Sequence, residues 1–273
     1  MVNLGVLIKN LMEEGYTREN AEARVCQDVV LMAISKSNLK QNVTIKGGVV
    51  MRNISNDIRR TTQDMDFDFI RYPLEETAIL NFIKKLNCVE GVSIRTVGPI
   101  EELSQQEYRG KRVYVTFEDE TGTVLASKID LGVHKQMQIE QEEYCFDVCM
   151  DDEGVSLLMN SKEQIFTEKL RSLLNFGPVS TRYKDIFDLC FLSESLDYSK
   201  TMDCLKTYIL DNPEMRENDL QGIQTRVSRT FSNKNYRNRI KKAGSANWLQ
   251  INIEEAFGQI ESFLSELRSF DKA

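Results

Sequence analysis

The stretch from Lys46 to Phe69 reads KGGVVMRNISNDIRRTTQDMDFDF, and the rest of the chain is organised around it. Apolar residues at 43–45 predict a strand before the two glycines, and apolar residues at 49–51 predict a helix after them. Glycines between a strand and a helix let phosphates approach the backbone N–H groups at the helix N-terminus. We therefore predict a phosphate cradle that consists of Lys46, Gly47 and Gly48.

The end of this stretch predicts a strand with acidic residues at alternating positions, Asp64, Asp66 and Asp68. Side chains two residues apart on a strand share a face, so the carboxylates form a row. The opposite, buried face is predicted to carry Met65, Phe67 and Phe69. Such a row attracts divalent cations, and hard oxygen ligands favour Mg²⁺ or Mn²⁺ over zinc. A solvated acidic strand is the alternative, and the preceding glycine turn favours a metal site at Asp64 and Asp66.

A third candidate carboxylate, Asp130, lies on a later predicted strand, residues 123–133. Its neighbours Ile129 and Leu131 face the other way, so Asp130 stands on a strand with an apolar back. A site for two divalent ions gains a further ligand from such a carboxylate on a neighbouring strand. We expect Asp130 to bind metal and to help deprotonate an incoming hydroxyl, with a solvent-facing Asp as the alternative. The single histidine, His134, is not assigned a role.

Composition excludes several classes of protein. The chain has 273 residues, 41% hydrophobic and 28% charged, as in an ordinary soluble globular protein. No apolar run reaches the ~18–20 residues of a membrane span, and the N-terminus lacks the features of a signal peptide, so we expect a cytoplasmic protein. One histidine and six scattered cysteines make a zinc site improbable. The net charge of −7 argues against a protein that is basic all over, and it does not exclude a local patch that binds nucleic acid.

The pattern of the chain changes near residue 150. Two helices, 3–14 and 18–35, are predicted before the central stretch. Further strands are predicted after it, and the polar stretch 101–110 is predicted to be a loop. Residues 151–154, Asp-Asp-Glu-Gly, are predicted to be a linker, and the sequence after them is predicted to be helical. We therefore divide the chain into two domains, residues 1–150 and residues 151–273.

The central motif resembles a known family. K-G-G followed by R-x-T-x-D-x-D, with Arg60, Thr62, Asp64 and Asp66, is similar to the AbiEii/AbiGii toxins. These toxins belong to the nucleotidyltransferase superfamily that includes DNA polymerase β. That superfamily usually has Gly-Ser and a shorter spacing, whereas here Gly48 replaces the serine and fifteen residues separate it from Asp64. The AbiEii branch often shows this departure, which supports the assignment to that branch.

The resemblance implies an α+β fold class, with a polymerase-β-like nucleotidyltransferase domain built on a mixed sheet and followed by an all-helical C-terminal domain. It implies an NTP substrate and adds Arg60 and Thr62 to the nucleotide-binding residues. Two later motifs, E-K-L and R-x-K-D-x-x-D-L, match those of the family. In the family the lysine, here Lys169, contacts phosphates, and an Asp, here Asp185 and less firmly Asp188, is needed for activity. The implied catalytic set is Asp64, Asp66, Asp130, Lys169 and Asp185.

The family context is a type IV toxin–antitoxin or abortive-infection system that halts growth or blocks phage. Its antitoxin is typically a separate DNA-binding repressor, so a tight complex is not implied. Some relatives add nucleotides to the 3′ end of tRNA, which makes tRNA or another RNA the favoured acceptor. A protein hydroxyl or a small molecule is an alternative acceptor. A non-catalytic GTP-binding protein is a further alternative, which the Asp64/Asp66 pair disfavours.

A basic segment, residues 226–242, stands out in this acidic chain because it contains no acidic residue. Its aromatic residues are Phe231 and Tyr236. Such a segment can grip an RNA backbone, or it can be a solvated helix face, and the sequence supports the two interpretations equally. The candidate RNA-binding residues are Arg226, Arg229, Lys234, Arg237, Arg239, Lys241 and Lys242.

Overall fold

The structure, a computed structural model, describes residues 2–103 and 110–272. The chain forms two compact units, Met1–Asn160 and Ser161–Ala273. Across the described ranges, every helix is too short or too polar to cross a membrane.

The first unit begins with two predicted helices, α1 (Leu4–Glu13) and α2 (Arg18–Lys36). Thr17 caps α2, because its side chain accepts a hydrogen bond from the N–H of Asn20. The following elements are β1 (Val43–Lys46), α3 (Gly47–Ser55), β2 (Met65–Phe69), α4 (Glu76–Lys85), β3 (Val92–Thr96), β4 (Glu101–Leu103), β5 (Gly110–Asp119), β6 (Val124–Val133), β7 (Glu142–Val148) and β8 (Asp151–Met159).

The described strands form one mixed sheet in the order β3-β5-β6-β2-β1-β8-β7, with β4 paired to β5. Strand β2 lies between β1, to which it is antiparallel, and β6, to which it is parallel. The predicted apolar face of β2 is confirmed, since Met65, Phe67 and Phe69 are all buried. The sheet therefore fixes the acidic face of β2 between one strand that carries Lys46 and another that carries Asp130.

Two expectations about the first unit are wrong. The segment expected to be a linker and then helical is instead β8, which pairs with β1 and β7. Its alternating burial at Val155, Leu157 and Met159 is a strand period, and the preceding polar residues belong to a hairpin. The polar stretch 101–110, expected to be a loop, contains β4, and its residues 104–109 lie outside the described residues.

The second unit is helical, as expected. Ser161 caps its first helix by accepting a hydrogen bond from the N–H of Gln164. The helices are α5 (Lys162–Phe176), α6 (Tyr183–Ser193), α7 (Tyr198–Leu205), α8 (Leu220–Phe231), α9 (Lys234–Lys242) and α10 (Ile253–Asp271). A 3-10 turn (Gly177–Val179) connects α5 to α6, and part of the basic segment forms α9.

Candidate active site

The junction between β1 and α3 brings the glycine pair against polar side chains. Gly47 has a φ of +63°, and an added Cβ would lie 2.8 Å from Asp66 Oδ2. A Cβ at Gly48 would overlap the side chain of Thr62. No side chain caps the start of α3 among the described residues, so its first N–H groups are not used by a capping side chain. The junction thus places Asp66 and Thr62 beside a helix N-terminus, which favours anions.

A row of four charged residues crosses four neighbouring strands. Lys46 on β1 pairs in register with Asp66 on β2, which pairs with Asp130 on β6, which pairs with Arg112 on β5. Neighbouring strands are about 4.8 Å apart, so consecutive members of the row are adjacent. The row places two carboxylates side by side between two cations.

Arg112 and Asp130 form the strongest pair of this row. The Nε and Nη2 atoms of Arg112 donate to the two carboxylate oxygens of Asp130, each at 2.7 Å. These hydrogen bonds raise the pKa of Arg112 above its ordinary value. Asp130 is buried, so the solvent-facing alternative considered for it does not describe this structure.

A second ion pair involves Asp68, two residues after Asp66 on β2. Lys46 Nζ donates to Asp68 Oδ1 at 2.7 Å, and Asp68 is buried. Its register partner is Gly132, where an added Cβ would overlap Asp68 Oδ1. Gly132 therefore makes room for the Lys46–Asp68 pair. The cation expected to bind phosphate already neutralises a neighbouring carboxylate.

Asp64 precedes the first residue of β2 and is the most exposed of the predicted metal ligands. Its Oδ1 lies 2.9 Å from Lys128 Nζ, and half of its side chain is accessible to solvent. Lys128 stands two residues before Asp130 on β6, hence on the same face of the sheet. Lys128, which lies on the same strand as Asp130, thus pairs with Asp64.

The three predicted metal ligands have the right donors for a hard divalent cation, because all are carboxylates. Asp66 and Asp130 are neighbours in the sheet. Within the described residues, however, no three acidic, histidine or cysteine side chains are grouped as a metal site. Two of the three carboxylates are paired with cations instead, Asp64 with Lys128 and Asp130 with Arg112. Carboxylates of this kind are the donors that hard divalent cations such as Mg²⁺ and Mn²⁺ prefer.

Two further predicted nucleotide-binding residues of this unit, Thr62 and Arg60, lie in the loop before β2. Thr62 contacts the glycine turn, and its Oγ1 accepts a weak hydrogen bond from the N–H of Asp64 at 3.4 Å. Arg60 is buried, with its guanidinium donating to the carbonyl of Thr61 at 2.9 Å. In this structure Arg60 therefore shapes the loop before β2.

The second unit contains the other predicted active residues as a cluster of its own. Lys169 on α5 is buried, and its Nζ lies 2.6 Å from Asp185 Oδ1 and 2.8 Å from Asp188 Oδ2, both on α6. Arg182 Nε lies 2.9 Å from Asp185 Oδ2. Asp188 also accepts a hydrogen bond from Trp248 Nε1 at 2.9 Å. Lys169 is thus one buried cation between two carboxylates.

The aromatics of the basic segment do not face solvent. Tyr236 is fully buried beside Tyr183. Its burial is the main cause that raises the pKa of its hydroxyl, and the negative charge of Asp185 raises that pKa further. Phe231 stacks on Phe257 with ring centroids 4.0 Å apart. These rings belong to the core of the second unit and are not surfaces for RNA bases.

Three of the seven basic residues make contacts within the second unit. Arg237 pairs with Glu254 and lies over the ring of Phe257. Arg226 donates to a backbone carbonyl in the last turn of α5, and Arg239 donates to one in the 3-10 turn that follows. The remaining members, all exposed, are Arg229, Lys234, Lys241 and Lys242.

Sequence reasoning assigned no role to Arg112, Lys128 or Trp248, and it named Asp68 only as a member of the acidic row. Lys128 shares a strand face with Asp130, and this signal was available. Arg112 had no comparable signal, because its partner depends on the register of β5 against β6. The same holds for Trp248, whose partner lies 60 residues away in sequence.

An acidic row on a mixed sheet, beside a glycine turn that opens a helix, fits a nucleotidyltransferase. A family model described as nucleotidyl transferase AbiEii toxin, type IV TA system, matches residues 29–259. The chain therefore belongs to the AbiEii nucleotidyl transferase toxin family. This confirms the resemblance stated from the motifs, and the protein is a nucleotidyltransferase toxin.

Two solved structures are similar to this chain. A crystal structure from H. pylori, assigned as a nucleotidyltransferase, superposes with a TM-score of 0.52 at 12% identity and covers 92% of this chain and 95% of that one. An antigenic nucleotidyltransferase-like protein from Paracoccidioides brasiliensis gives a TM-score of 0.46 at 16% identity over 81% of this chain and 92% of that one. No curated protein matches the sequence. The H. pylori structure bears out the predicted fold class.

Proposed function

We propose that the enzyme transfers an NMP from an NTP to an RNA hydroxyl, with the 3′ end of tRNA as the first candidate acceptor. The observation that carries the proposal is the charged row Lys46, Asp66, Asp130 and Arg112 beside the N-terminus of α3. A triphosphate needs positive charge and N–H donors, and the transfer needs carboxylates next to them. The row supplies the positive charge and the carboxylates, and the N-terminus of α3 beside it supplies the N–H donors.

The proposed reaction forms one P–O bond at the α-phosphorus, breaks another there, and moves one proton. The acceptor hydroxyl oxygen attacks the α-phosphorus, and the bond from that phosphorus to the oxygen leading to the β-phosphate breaks. Pyrophosphate leaves, and the hydroxyl proton passes to a carboxylate oxygen of Asp130. Catalysis of this kind consists mostly of positioning and charge stabilisation.

Each residue of the first unit has a proposed task. The N–H groups at Gly47 and Gly48 bind phosphate oxygens, Thr62 shapes that turn, and Lys46 neutralises charge. A bound Mg²⁺ or Mn²⁺, held by Asp64, Asp66 and Asp130, would supply positive charge to the triphosphate. We expect Lys128 and Arg112, once released from their carboxylates, to face the same phosphates.

For the second unit we propose that Lys169 contacts nucleotide phosphates and that Asp185 supports activity, on the strength of the motif resemblance. Because Lys169 meets two carboxylates here, phosphate binding would add a third anion to the cluster. Asp185 and Asp188 therefore also hold the lysine in position. The physiological setting that we propose is growth arrest or phage defence, controlled by a cognate antitoxin.

The acceptor is tested by incubating the protein with Mg²⁺ and each α-³²P-labelled NTP, in the presence of total RNA or of RNA-free cell protein. We expect label in RNA, concentrated in the tRNA band, with one NTP preferred. Label that enters only protein or small molecules would contradict the RNA acceptor while leaving nucleotidyl transfer intact.

A further inference from the structure

The exposed aromatic next to the basic segment is Phe176, at the end of α5. Phe176 is 50% exposed, and Val179 in the 3-10 turn that follows is 71% exposed. Single exposed apolar residues are common, but here two large ones lie three residues apart, at the end of α5 and in the turn that follows it. The two aromatics within the basic segment are buried, so Phe176 is the ring that faces solvent here.

Two arginines of the basic segment are fixed against the same turn. Arg226 Nε donates to the carbonyl of Leu174 at 3.3 Å, and Arg239 donates to the carbonyl of Pro178. Gly177 has a φ of +50°, and an added Cβ would lie 3.0 Å from the guanidinium of Arg226. A guanidinium has five N–H donors, more than these contacts use, so both arginines can also bind phosphate.

The two chain segments that contribute to this turn and its contacts contain no acidic residue over long stretches of sequence. None occurs between Lys169 and Lys184, or between Leu220 and Ile253, in a chain whose net charge is −7. Helical spacing places the exposed Arg229 next to Arg226, and the exposed Lys242 next to Arg239. The turn therefore presents an exposed aromatic ring next to several basic side chains, the combination that binds single-stranded nucleic acid.

We propose that this surface, the Phe176 platform (Phe176, Val179, Arg226 and Arg239), binds the single-stranded end of the RNA acceptor. A terminal base stacks on the Phe176 ring, and the adjacent phosphates contact the two guanidiniums. The proposal rests on the RNA acceptor proposed above and names where that RNA is held. It requires an unpaired end, because only an unstacked base offers its face to a ring.

The position of the platform on α5 agrees with this role. Phe176 and Lys169 lie on one helix, seven residues apart, or about 10 Å along its axis. An RNA end on the platform would thus lie close to the lysine that we propose contacts the nucleotide. Stacking is tolerant of base identity, so the platform selects an open strand and not a particular sequence.

The test uses the full chain and a short single-stranded RNA that carries 2-aminopurine as its 3′ base, beside the same strand annealed into a blunt duplex. We expect the wild type to quench 2-aminopurine in the single strand and to bind the duplex at least tenfold more weakly. Phe176→Ala should weaken single-strand binding about tenfold and abolish the quenching, and Phe176→Tyr should restore both. Phe270→Ala, at a ring that is 48% exposed, is the matched control and should behave as wild type.

The charged part of the platform has its own readout. Arg226→Gln and Arg239→Gln should each reduce the slope of log affinity against log salt by about 0.7. Phe176→Ala should leave that slope unchanged, because stacking releases no counterions. Circular dichroism checks that each variant is folded.

The outcomes separate the platform from the proposed acceptor. If Phe176→Ala binds and quenches as wild type while RNA is still labelled in the transfer assay, the platform is wrong and the RNA acceptor stands. If the wild type binds the blunt duplex as well as the single strand, the platform is also wrong. If the wild type binds no RNA and labels none, the proposed acceptor fails and the platform fails with it.

Discussion

The α-carbon of Gly47 lies so close to Asp66 that an added Cβ would be 2.8 Å from the carboxylate oxygen Oδ2. The glycine thus serves two purposes. It adopts a φ of +63°, which L-residues with a Cβ rarely adopt, and it leaves room for a carboxylate beside the first turn of α3. The proposed phosphate cradle and the proposed metal-binding row meet at this contact.

Replacing Gly47 by alanine should therefore affect nucleotide binding more than stability. The positive φ alone costs about 1–2 kcal/mol, a cost that Gly98→Ala shares, since Gly98 has a φ of +71° and open space around it. Only Gly47→Ala also displaces Asp66. We expect both variants to melt at similarly lower temperatures, and only Gly47→Ala to lose protection by NTP and Mg²⁺ in thermal melts. Equal nucleotide protection in the two variants would argue against the cradle.

The Arg112–Asp130 pair predicts a competition between arginine and metal. Arg112→Gln removes the cation that holds Asp130, so Mn²⁺ should bind more tightly without nucleotide, as measured by electron paramagnetic resonance. The unfolding free energy should fall by about 1–3 kcal/mol, because two hydrogen bonds to a buried carboxylate are lost. Lys111→Gln is the control, since the neighbouring Lys111 pairs with Glu102 on β4. Weaker Mn²⁺ binding in Arg112→Gln would contradict the exchange of cations proposed here.

The Lys169 cluster predicts a large stability effect that must be separated from activity. Lys169→Met leaves Asp185 and the fully buried Asp188 without their shared cation, which should cost about 3–5 kcal/mol in urea unfolding. Adding Asp188→Asn should recover part of this loss, because one of the two buried charges is removed. Lys162→Met, at the start of the same helix, is the control. A double variant that is no more stable than Lys169→Met would show that the lysine does not act by neutralising this pair.

The single histidine allows a direct pH measurement. Burial lowers the pKa of His134, and the charge of Asp68 opposes this only in part. The unfolded chain is therefore protonated first, at about pH 6.5, so stability should fall as the pH drops from that value towards the lower folded pKa. Nuclear magnetic resonance of the His134 ring protons gives the folded pKa, and His134→Gln should remove this part of the pH dependence. A folded pKa at or above 6.5 would contradict the burial argument.

Much of the first unit could be predicted because its signals are local. The alternation of acidic and apolar residues in β2 specifies two faces, and the glycine pair marks the β1–α3 turn. The partners of the carboxylates could not be predicted in this way. Lys46, Arg112 and Lys128 meet them through the registers of β1, β5 and β6, which are set by the whole sheet.

The wrong expectation for β8 and the weak sequence signal of α9 also have physical causes. Strand β8 begins with three acidic residues and a glycine, which look like a linker, and its apolar alternation starts only at Val155. Helix α9 has only two buried positions, Tyr236 and Ile240, four residues apart among many charges. Periodicity is weak in such a helix, and packing decides its structure.

The central claim is that the carboxylates on β2 and β6 carry out nucleotidyl transfer, and pyrophosphate release tests it most directly. The purified protein is incubated with Mg²⁺, total RNA and each γ-³²P-labelled NTP, beside Asp66→Asn and the control Asp57→Asn, whose carboxylate pairs with Arg59 outside the row. We predict labelled pyrophosphate from the wild type and the control, at a rate at least 100-fold higher than from Asp66→Asn. Labelled orthophosphate alone, or an undiminished rate in Asp66→Asn, would contradict the account.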